Sequence, residues 1–270
     1  MCHGRPWSGD DAGRCPSPDD LGRHVLTSVA LVVVGGAFAG GFVSGLAGFG
    51  TGLMALGIWL HVLDPASAAV LVVVCSVVAQ VQTIPTIWHA IDRVRVGPMI
   101  LAGLFGVPIG SWLLHRVDPN AFRLGMGLLL VGFSSFMLFG RSTTRITGGG
   151  HIADAAVGFG GGILGGLAGL SGPLPIIWAT LQGWGKDERR GVFQAFNLAV
   201  LLAAALSYAV SERLTGEVGR LVLAALPGTL FGAWLGAHTY RRLSDRRFHE
   251  VVLGLLGMSG VALVWTSLGW

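Results

Sequence analysis

The chain has 270 residues, of which 52% are hydrophobic and only 12% are charged. Soluble domains carry about 25% charged residues, so this composition excludes a soluble globular domain and predicts an all-α polytopic membrane protein. The net charge of +4 comes from 17 Arg and one Lys that lie between apolar runs. Because these charges mark the edges of membrane spans and form no basic stripe, we expect no nucleic-acid partner.

Residues 1–24 form a polar tail that we expect to be disordered. It holds four aspartates, three arginines and three prolines and has no apolar core. It therefore lacks the pattern of a cleavable signal peptide. The three cysteines (Cys2, Cys15 and Cys75) have no metal-binding spacing, so they predict neither a disulfide framework nor a zinc site. We expect no metal and no cofactor.

Eight apolar runs without Asp, Glu, Lys or Arg follow, at about 25–60, 66–91, 96–114, 124–140, 155–185, 191–211, 221–240 and 251–270. Most have the length of a helix that crosses about 30 Å of hydrocarbon. The first and fifth runs are longer, at roughly 31 to 36 residues. As straight helices they would reach about 50 Å. Both are interrupted in the middle by Gly-Leu-Ala-Gly.

These interruptions belong to an internal repeat. GFVSGLAGFGTG (41–52) recurs 121 residues later as GILGGLAGLSGP (162–173), and the Gly106/Gly110 pair recurs at an offset of 122 as Gly228/Gly232. We therefore predict two homologous four-segment repeats, at 25–140 and 152–270, joined by a loop at 141–151. Interrupted segments at corresponding positions are typical of a transporter whose site lies between its two halves.

Two topologies fit this pattern. Either each long run crosses once, which gives eight crossings, or each is a re-entrant hairpin of two half-helices. With eight crossings, Arg and Lys divide nine against nine between the two sides; with hairpins they divide eleven against seven. The positive-inside rule therefore favours the hairpins, with both termini outside and the two halves inverted.

The glycine-rich turns are candidate anion sites. A half-helix is predicted to begin near Pro173, with Ser171 as its N-cap, and its positive end and free amides would bind an anion. The alternative role is close packing of helices through small residues. The candidate binding residues are Gly48, Gly50 and Thr51 in the first turn and Gly169, Ser171 and Gly172 in the second.

Uncharged polar side chains inside the runs extend this site. Gln194 and Asn197 share a helix face, and at offset 122 Asn197 aligns with Cys75, beside Ser76 and before Gln80. These amides and hydroxyls could donate to an oxyanion or instead link helices. No Asp or Glu lies at the centre of a run, which favours an anionic substrate over a metal cation.

The residues resemble the sulfite exporter TauE/SafE family of membrane permeases. The resemblance covers roughly 30–266 and rests on the duplicated glycine-rich stretch, on Gly169–Pro173, and on GWGKDERR (183–190) with FQAFN (193–197). It implies export or import of small sulfur-containing anions such as sulfite and sulfonates. In the first repeat, Gly48–Gly52 departs from the family's run of consecutive glycines before a proline.

Two other functions fit parts of the pattern. Gly169–Gly172 matches the Gly-x-Ser-Gly motif of rhomboid proteases, with Ser171 as nucleophile and His238 as base, and an anion channel would differ only in gating. We favour a permease without enzymatic activity that moves sulfite or an organosulfonate by alternating access in the inner (plasma) membrane. Its expected partners are a small anion and the lipid bilayer; a coupling ion (proton or sodium) and a homo-oligomer are left open.

Overall fold

The computed structural model describes residues 18–47, 50–83, 93–139, 150–184, 186–211, 215–240 and 245–268. Over these ranges the chain is entirely helical, with ten α-helices and no strand. The helices are α1 (Pro18–Ala47), α2 (Thr51–Trp59), α3 (Pro65–Thr83), α4 (Arg93–Leu114), α5 (Pro119–Phe139), α6 (Gly150–Ala168), α7 (Pro173–Gln182), α8 (Lys186–Val210), α9 (Gly216–Tyr240) and α10 (Asp245–Ser267).

Seven helices of the described ranges are long and apolar enough to cross a membrane, by length and composition. They lie in α1, α3, α4, α5, α6, α8 and α9. The prediction of a polytopic all-helical membrane protein is therefore confirmed. α1 begins at Pro18, inside the predicted polar tail, and residues 1–17 lie outside the described part of the chain. Helices α2 and α7, with 9 and 10 residues, are too short to cross.

The first long run folds back on itself between α1 and α2. Gly40 of α1 packs against Thr51, so that a Cβ added at Gly40 would lie 2.9 Å from the Thr51 carbonyl oxygen. Further along, the indole Nε1 of Trp59 donates to the carbonyl of Val33 at 3.1 Å. The later residue of α2 (Trp59) thus contacts the earlier residue of α1 (Val33), so α2 runs antiparallel to α1. We call this pair hairpin 1.

The second long run folds back in the same way between α6 and α7, which we call hairpin 2. The amide of Leu170 donates to the Leu164 carbonyl at 3.2 Å, and the indole of Trp178 donates to Asp154 at 2.8 Å. The turn needs glycine at Gly169, whose φ of +70° lies in the left-handed region.

The remaining helices pack through glycines, and these contacts give their directions. α1 packs most extensively against α9, and α4 against α6. Each of these pairs is parallel, because residue numbers rise together: along α4 and α6, Met99 lies opposite Gly158 and Gly103 opposite Gly162. In contrast, α5 and α10 are antiparallel, since Gly127 meets Gly260 and Val264 while Ser134 meets Gly257. Backbones approach this closely only where a side chain is absent.

Helix α3 lies at the centre of this bundle. More than half of its residues are buried, and it contacts α1, α2, α6, α8 and α9. Because α3 and α8 both pass beside the two hairpin turns, their middle residues Ser76 and Asn197 are brought next to the glycine-rich tips.

Candidate functional site

The tips of hairpin 1 and hairpin 2 touch each other inside the protein. A Cβ added to Gly52 of α2 would lie 2.8 Å from the Leu170 side chain and 3.0 Å from the Gly169 carbonyl oxygen. Gly169 in turn packs against the Val72 and Val73 side chains of α3. Irregular backbone at membrane depth is tolerated only where protein buries it or a polar cavity takes up its hydrogen bonds, and the contact of the two tips supplies this burial.

A small cavity lies between the two tips. Its volume is about 10 Å³, which is room for about one water molecule. The starts of α2 and α7 both face it. No charged side chain is among its described lining residues, which are Ser44, Gly50, Thr51, Gly52, Leu53, Ser76, Gly169, Leu170, Gly172, Pro173 and Asn197.

Two hydroxyls at this cavity are buried without a hydrogen-bond partner. The side chains of Ser44 and Thr51 are each 1% exposed, and neither Oγ of Ser44 nor Oγ1 of Thr51 has a partner among the described residues. Leaving a buried hydroxyl unsatisfied costs about 1–3 kcal/mol. Both groups are therefore free to bind a ligand that enters the cavity.

Ser171 and Asn197 form a bonded pair at the edge of the cavity. The Ser171 hydroxyl donates to Oδ1 of Asn197, and both side chains are buried. The prediction that α7 begins at Pro173 is confirmed, but Ser171 as its N-cap is wrong: Gly172 occupies that position with no side-chain cap hydrogen bond. Proline at the first helical position fixes the start one residue later, and Asn197 offers the Ser171 hydroxyl a buried acceptor.

Gln80 and Gln194 lie one helical turn away from the cavity lining. Gln80 follows Ser76 by four residues on α3, and Gln194 precedes Asn197 by three on α8. Nε2 of Gln194 donates to Oγ1 of Thr83 at 3.5 Å, and all three side chains are buried. Together they form a polar band between α3 and α8 that extends from the cavity.

Of the other predicted residues, Gly50, Gly169 and Gly172 line the cavity, and Gly48 lies outside the described residues. Cys75, which the offset of 122 aligns with Asn197, hydrogen-bonds with Thr229 instead. Its neighbour Ser76 is the α3 residue at the cavity.

The profile of the sulfite exporter TauE/SafE family matches residues 32–263. The chain belongs to the TauE/SafE family. Membership implies a membrane permease for sulfur anions. The match includes α1 from residue 32 onwards, α2, all of hairpin 2 and every described residue that lines the cavity. No curated protein and no solved structure matched the chain.

The Ser–His pair of the protease alternative is not formed in this TauE/SafE member. The Ser171 hydroxyl is fully buried and engaged with Asn197. The His238 ring stacks on Trp234 at 5.8 Å between ring centroids, on an exposed face of α9. A general base must lie within about 3 Å of its nucleophile, so this arrangement gives Ser171 no base from His238.

Among the polar side chains that line the cavity, that of Ser44 escaped the sequence analysis. In the first repeat it stands in GFVSGLAG, where the second repeat has Gly165. A serine among small residues is more often a packing residue. The signal that could have identified Ser44 is its position within the broken run, four residues before Gly48.

Proposed function

We propose that this chain carries a small sulfur oxyanion, sulfite or an organosulfonate, by alternating access, and that it binds the anion between the tips of hairpin 1 and hairpin 2. One observation carries this proposal: the cavity between the tips holds two buried hydroxyls, of Ser44 and Thr51, that lack a partner among the described residues. Hydroxyl donors without a negative side chain beside them suit the oxygens of an anion.

The starts of the two short helices supply the positive field. The N-cap Gly50 and the first three residues of α2 line the cavity, as do the N-cap Gly172 and the first residue of α7. A helix N-terminus attracts anions through its dipole and unpaired amides. Pro173 and Pro175 lack an N–H, so the α7 end offers fewer amides than the α2 end. The amide group of Asn197, whose Oδ1 is already engaged by Ser171, compensates as a donor on that side.

The helix directions support two inverted membrane repeats at 25–140 and 152–270, linked by 141–151. If α1 to α5 correspond in order to α6 to α10, then α1 corresponds to α6 and α4 corresponds to α9. The contact between α1 and α9 is then equivalent to the contact between α6 and α4, and both contacts are observed. The corresponding helices α5 and α10 run antiparallel, as inverted halves require and as eight successive crossings would not give. Each repeat then crosses the membrane three times, through α3, α4 and α5 in the first and through α8, α9 and α10 in the second. The two hairpins enter from opposite sides.

The orientation that we propose follows from the positive-inside rule. In this topology α4 begins with Arg93 and Arg95 on the same side as Lys186 at the start of α8. That side is the cytoplasmic one, with both termini outside, in the inner (plasma) membrane.

The size of the cavity supports an occluded state. A volume of about 10 Å³ holds about one water molecule, and sulfite has four heavy atoms. The tips must therefore part to admit the substrate, which is the motion that alternating access requires. The polar band of Gln80, Thr83 and Gln194 gives the anion hydrogen-bonding groups on its way to one face.

A ligand-dependent melting experiment tests the site. Purified protein in detergent is titrated with sulfite, a sulfonate and chloride, as wild type, Ser44→Ala and Thr51→Val. We expect sulfite or the sulfonate to raise the Tm of the wild type, and each variant to bind at least about tenfold more weakly, because hydrogen bonds to charged groups contribute about 1.5–3 kcal/mol.

Ser134→Ala is the matched control. Its hydroxyl is also buried and lacks a partner among the described residues, but it lies on α5, outside the cavity lining. It should bind the anion like the wild type. Unchanged affinity in both Ser44→Ala and Thr51→Val would refute the proposed site.

A further inference from the structure

Hairpin 1 brings hydrogen-bond donors to the cavity. The first bond of α2 runs from the Met54 amide to the Gly50 carbonyl at 3.0 Å, so the amides of residues 51–53 have no acceptor within the helix. These three residues line the cavity, as does Ser44. The hydroxyls of Ser44 and Thr51, which are buried and have no partner among the described residues, are two further donors. We therefore expect the oxygens of an anion to bind on this side.

Hairpin 2 presents an apolar surface to the same cavity. The first bond of α7 runs from the Ile176 amide to the Gly172 carbonyl at 3.1 Å. Of the three residues between them, two are prolines, which have no N–H. No polar side chain is among the described lining residues of this hairpin, which are Gly169, Leu170, Gly172 and Pro173. Fewer donors therefore face an anion from hairpin 2, and Leu170 has the largest side chain of the four.

The Leu170 side chain reaches across to the donors of hairpin 1. It is 2% exposed, and its Cδ2 atom would lie 2.8 Å from a Cβ added to Gly52. Because Gly52 has no side chain, the leucine packs against the first turn of α2, where the amides of residues 51–53 lie. The other polar lining side chains, those of Ser76 and Asn197, come from α3 and α8. An anion bound to the α2 amides therefore has Leu170 as its neighbour on the side of hairpin 2.

Sulfite and the organosulfonates differ at one position on sulfur. Both present three oxygens on one face. At the remaining position sulfite has a lone pair, whereas an organosulfonate has a carbon chain. When the oxygens bind the donors of hairpin 1, this position faces Leu170. A lone pair needs little room beside a leucine, but a carbon chain needs space that a cavity of about 10 Å³ does not provide.

From these observations we infer that Leu170 is a specificity-determining residue of the anion site, and that it selects sulfite over organosulfonates. The inference rests on the proposed function, because it places the anion between the two hairpin tips. One methylene group in an apolar pocket changes discrimination about 10- to 200-fold. A shorter side chain at position 170 makes room for the carbon chain and leaves the donors of hairpin 1 in place.

Anion titrations of Leu170 variants test this inference. Purified protein in detergent is titrated with sulfite and with ethanesulfonate, and the rise in Tm gives the ratio of the two dissociation constants. We expect the wild type to bind sulfite at least about tenfold more tightly than ethanesulfonate, and Leu170→Ala to lower this preference at least about tenfold. Because truncation of a buried leucine destabilises the core, Leu170→Val provides a milder step, which should give an intermediate preference.

Leu167→Ala is the matched control. Leu167 is also a buried leucine of hairpin 2, at 8% exposure, but it lies outside the described cavity lining, so its variant should keep the wild-type preference. An unchanged preference in both Leu170 variants, an equal loss in Leu167→Ala, or a wild type that binds ethanesulfonate as tightly as sulfite would overturn the inference and leave the proposed function standing. A wild type that binds neither anion would reject the proposed function and the inference with it.

Discussion

The hydroxyl of Ser171 donates a hydrogen bond to Oδ1 of Asn197 and thereby joins the tip of hairpin 2 to the middle of α8. Both side chains are buried, so each would be left with an unsatisfied polar atom if the other were removed. The bond fixes which end of the Asn197 amide faces Ser171, and its Nδ2 donors are the ones left for an anion. In the proposed site, Ser171 would act through Asn197, because Asn197 lines the cavity and Ser171 does not.

Ser171→Ala should weaken anion binding less than Asn197→Ala does. Loss of the hydroxyl leaves the Asn197 amide free to rotate, whereas loss of the amide removes a donor from the cavity itself. Each change should also lower the free energy of unfolding by about 1–3 kcal/mol. Because the two residues act as a pair, the effects of the double variant should be less than additive. Melting curves and anion titrations of the three variants measure this; full additivity would rule out coupling between them.

Asn197→Asp should abolish anion binding. A carboxylate at the edge of a cavity whose described lining residues include no cation would repel the substrate, and the low local polarity strengthens that repulsion. Asn197→Ser, which keeps a donor without adding charge, should retain part of the affinity. Isothermal titration with sulfite compares the two at equal protein stability. An Asp variant that binds sulfite like the wild type would mean that the anion lies elsewhere.

Gly169→Ala should severely destabilise the protein. Gly169 has a φ of +70°, where an L-residue costs about 1–2 kcal/mol, and a Cβ there would lie 2.5 Å from Cγ1 of Val72. Gly125→Ala is the control, since nothing lies within 4 Å of its added Cβ. We expect the Gly169 variant to lose folded yield in detergent while the control keeps it, as size-exclusion chromatography would measure. Equal yields would mean that the turn tolerates rearrangement.

Asp64, just before α3, should stabilise the protein at neutral pH but not in strong acid. Burial alone would raise the pKa of its carboxyl group, but hydrogen bonds, including one from the Ser67 amide at 3.0 Å, hold the pKa below its ordinary value of 3.8. A lowered pKa means that the stabilisation is present above the ordinary value and is lost as the pH falls through the folded-state pKa. Asp64→Ala should cost about 1 kcal/mol at neutral pH. The gap in Tm between wild type and variant should close on acidification; a gap that widens would contradict this sign.

The hairpins could be anticipated from the sequence because glycine allows backbone turns that other residues disfavour, and because proline cannot continue a helix but suits its first position. The excess length of the two broken runs and the restart at Pro173 both follow from local chemistry, and a polar residue such as Asn197 stands out in an apolar run. The division of the chain into repeats at 25–140 and 152–270 stays a prediction.

Other features depend on contacts that no local pattern specifies. Ser171 does not cap α7 because its hydroxyl donates to Asn197 of α8, and Gly172 occupies the N-cap position. Ser76 rather than Cys75 faces the cavity because the rotation of α3 is set by its packing partners. The bond between Trp178 and Asp154 joins residues 24 apart, and only the folding back of α7 on α6 brings them together.

Counterflow of labelled sulfite in proteoliposomes tests the central claim most directly. Vesicles loaded with unlabelled sulfite should transiently concentrate the label, as a carrier with one alternately exposed site requires and as a channel does not. The Ser44→Ala/Thr51→Val double variant should lose this accumulation, and Ser134→Ala should keep it. Label that only equilibrates, at a rate that rises linearly with sulfite and is unchanged in the double variant, would contradict both the carrier mechanism and the site.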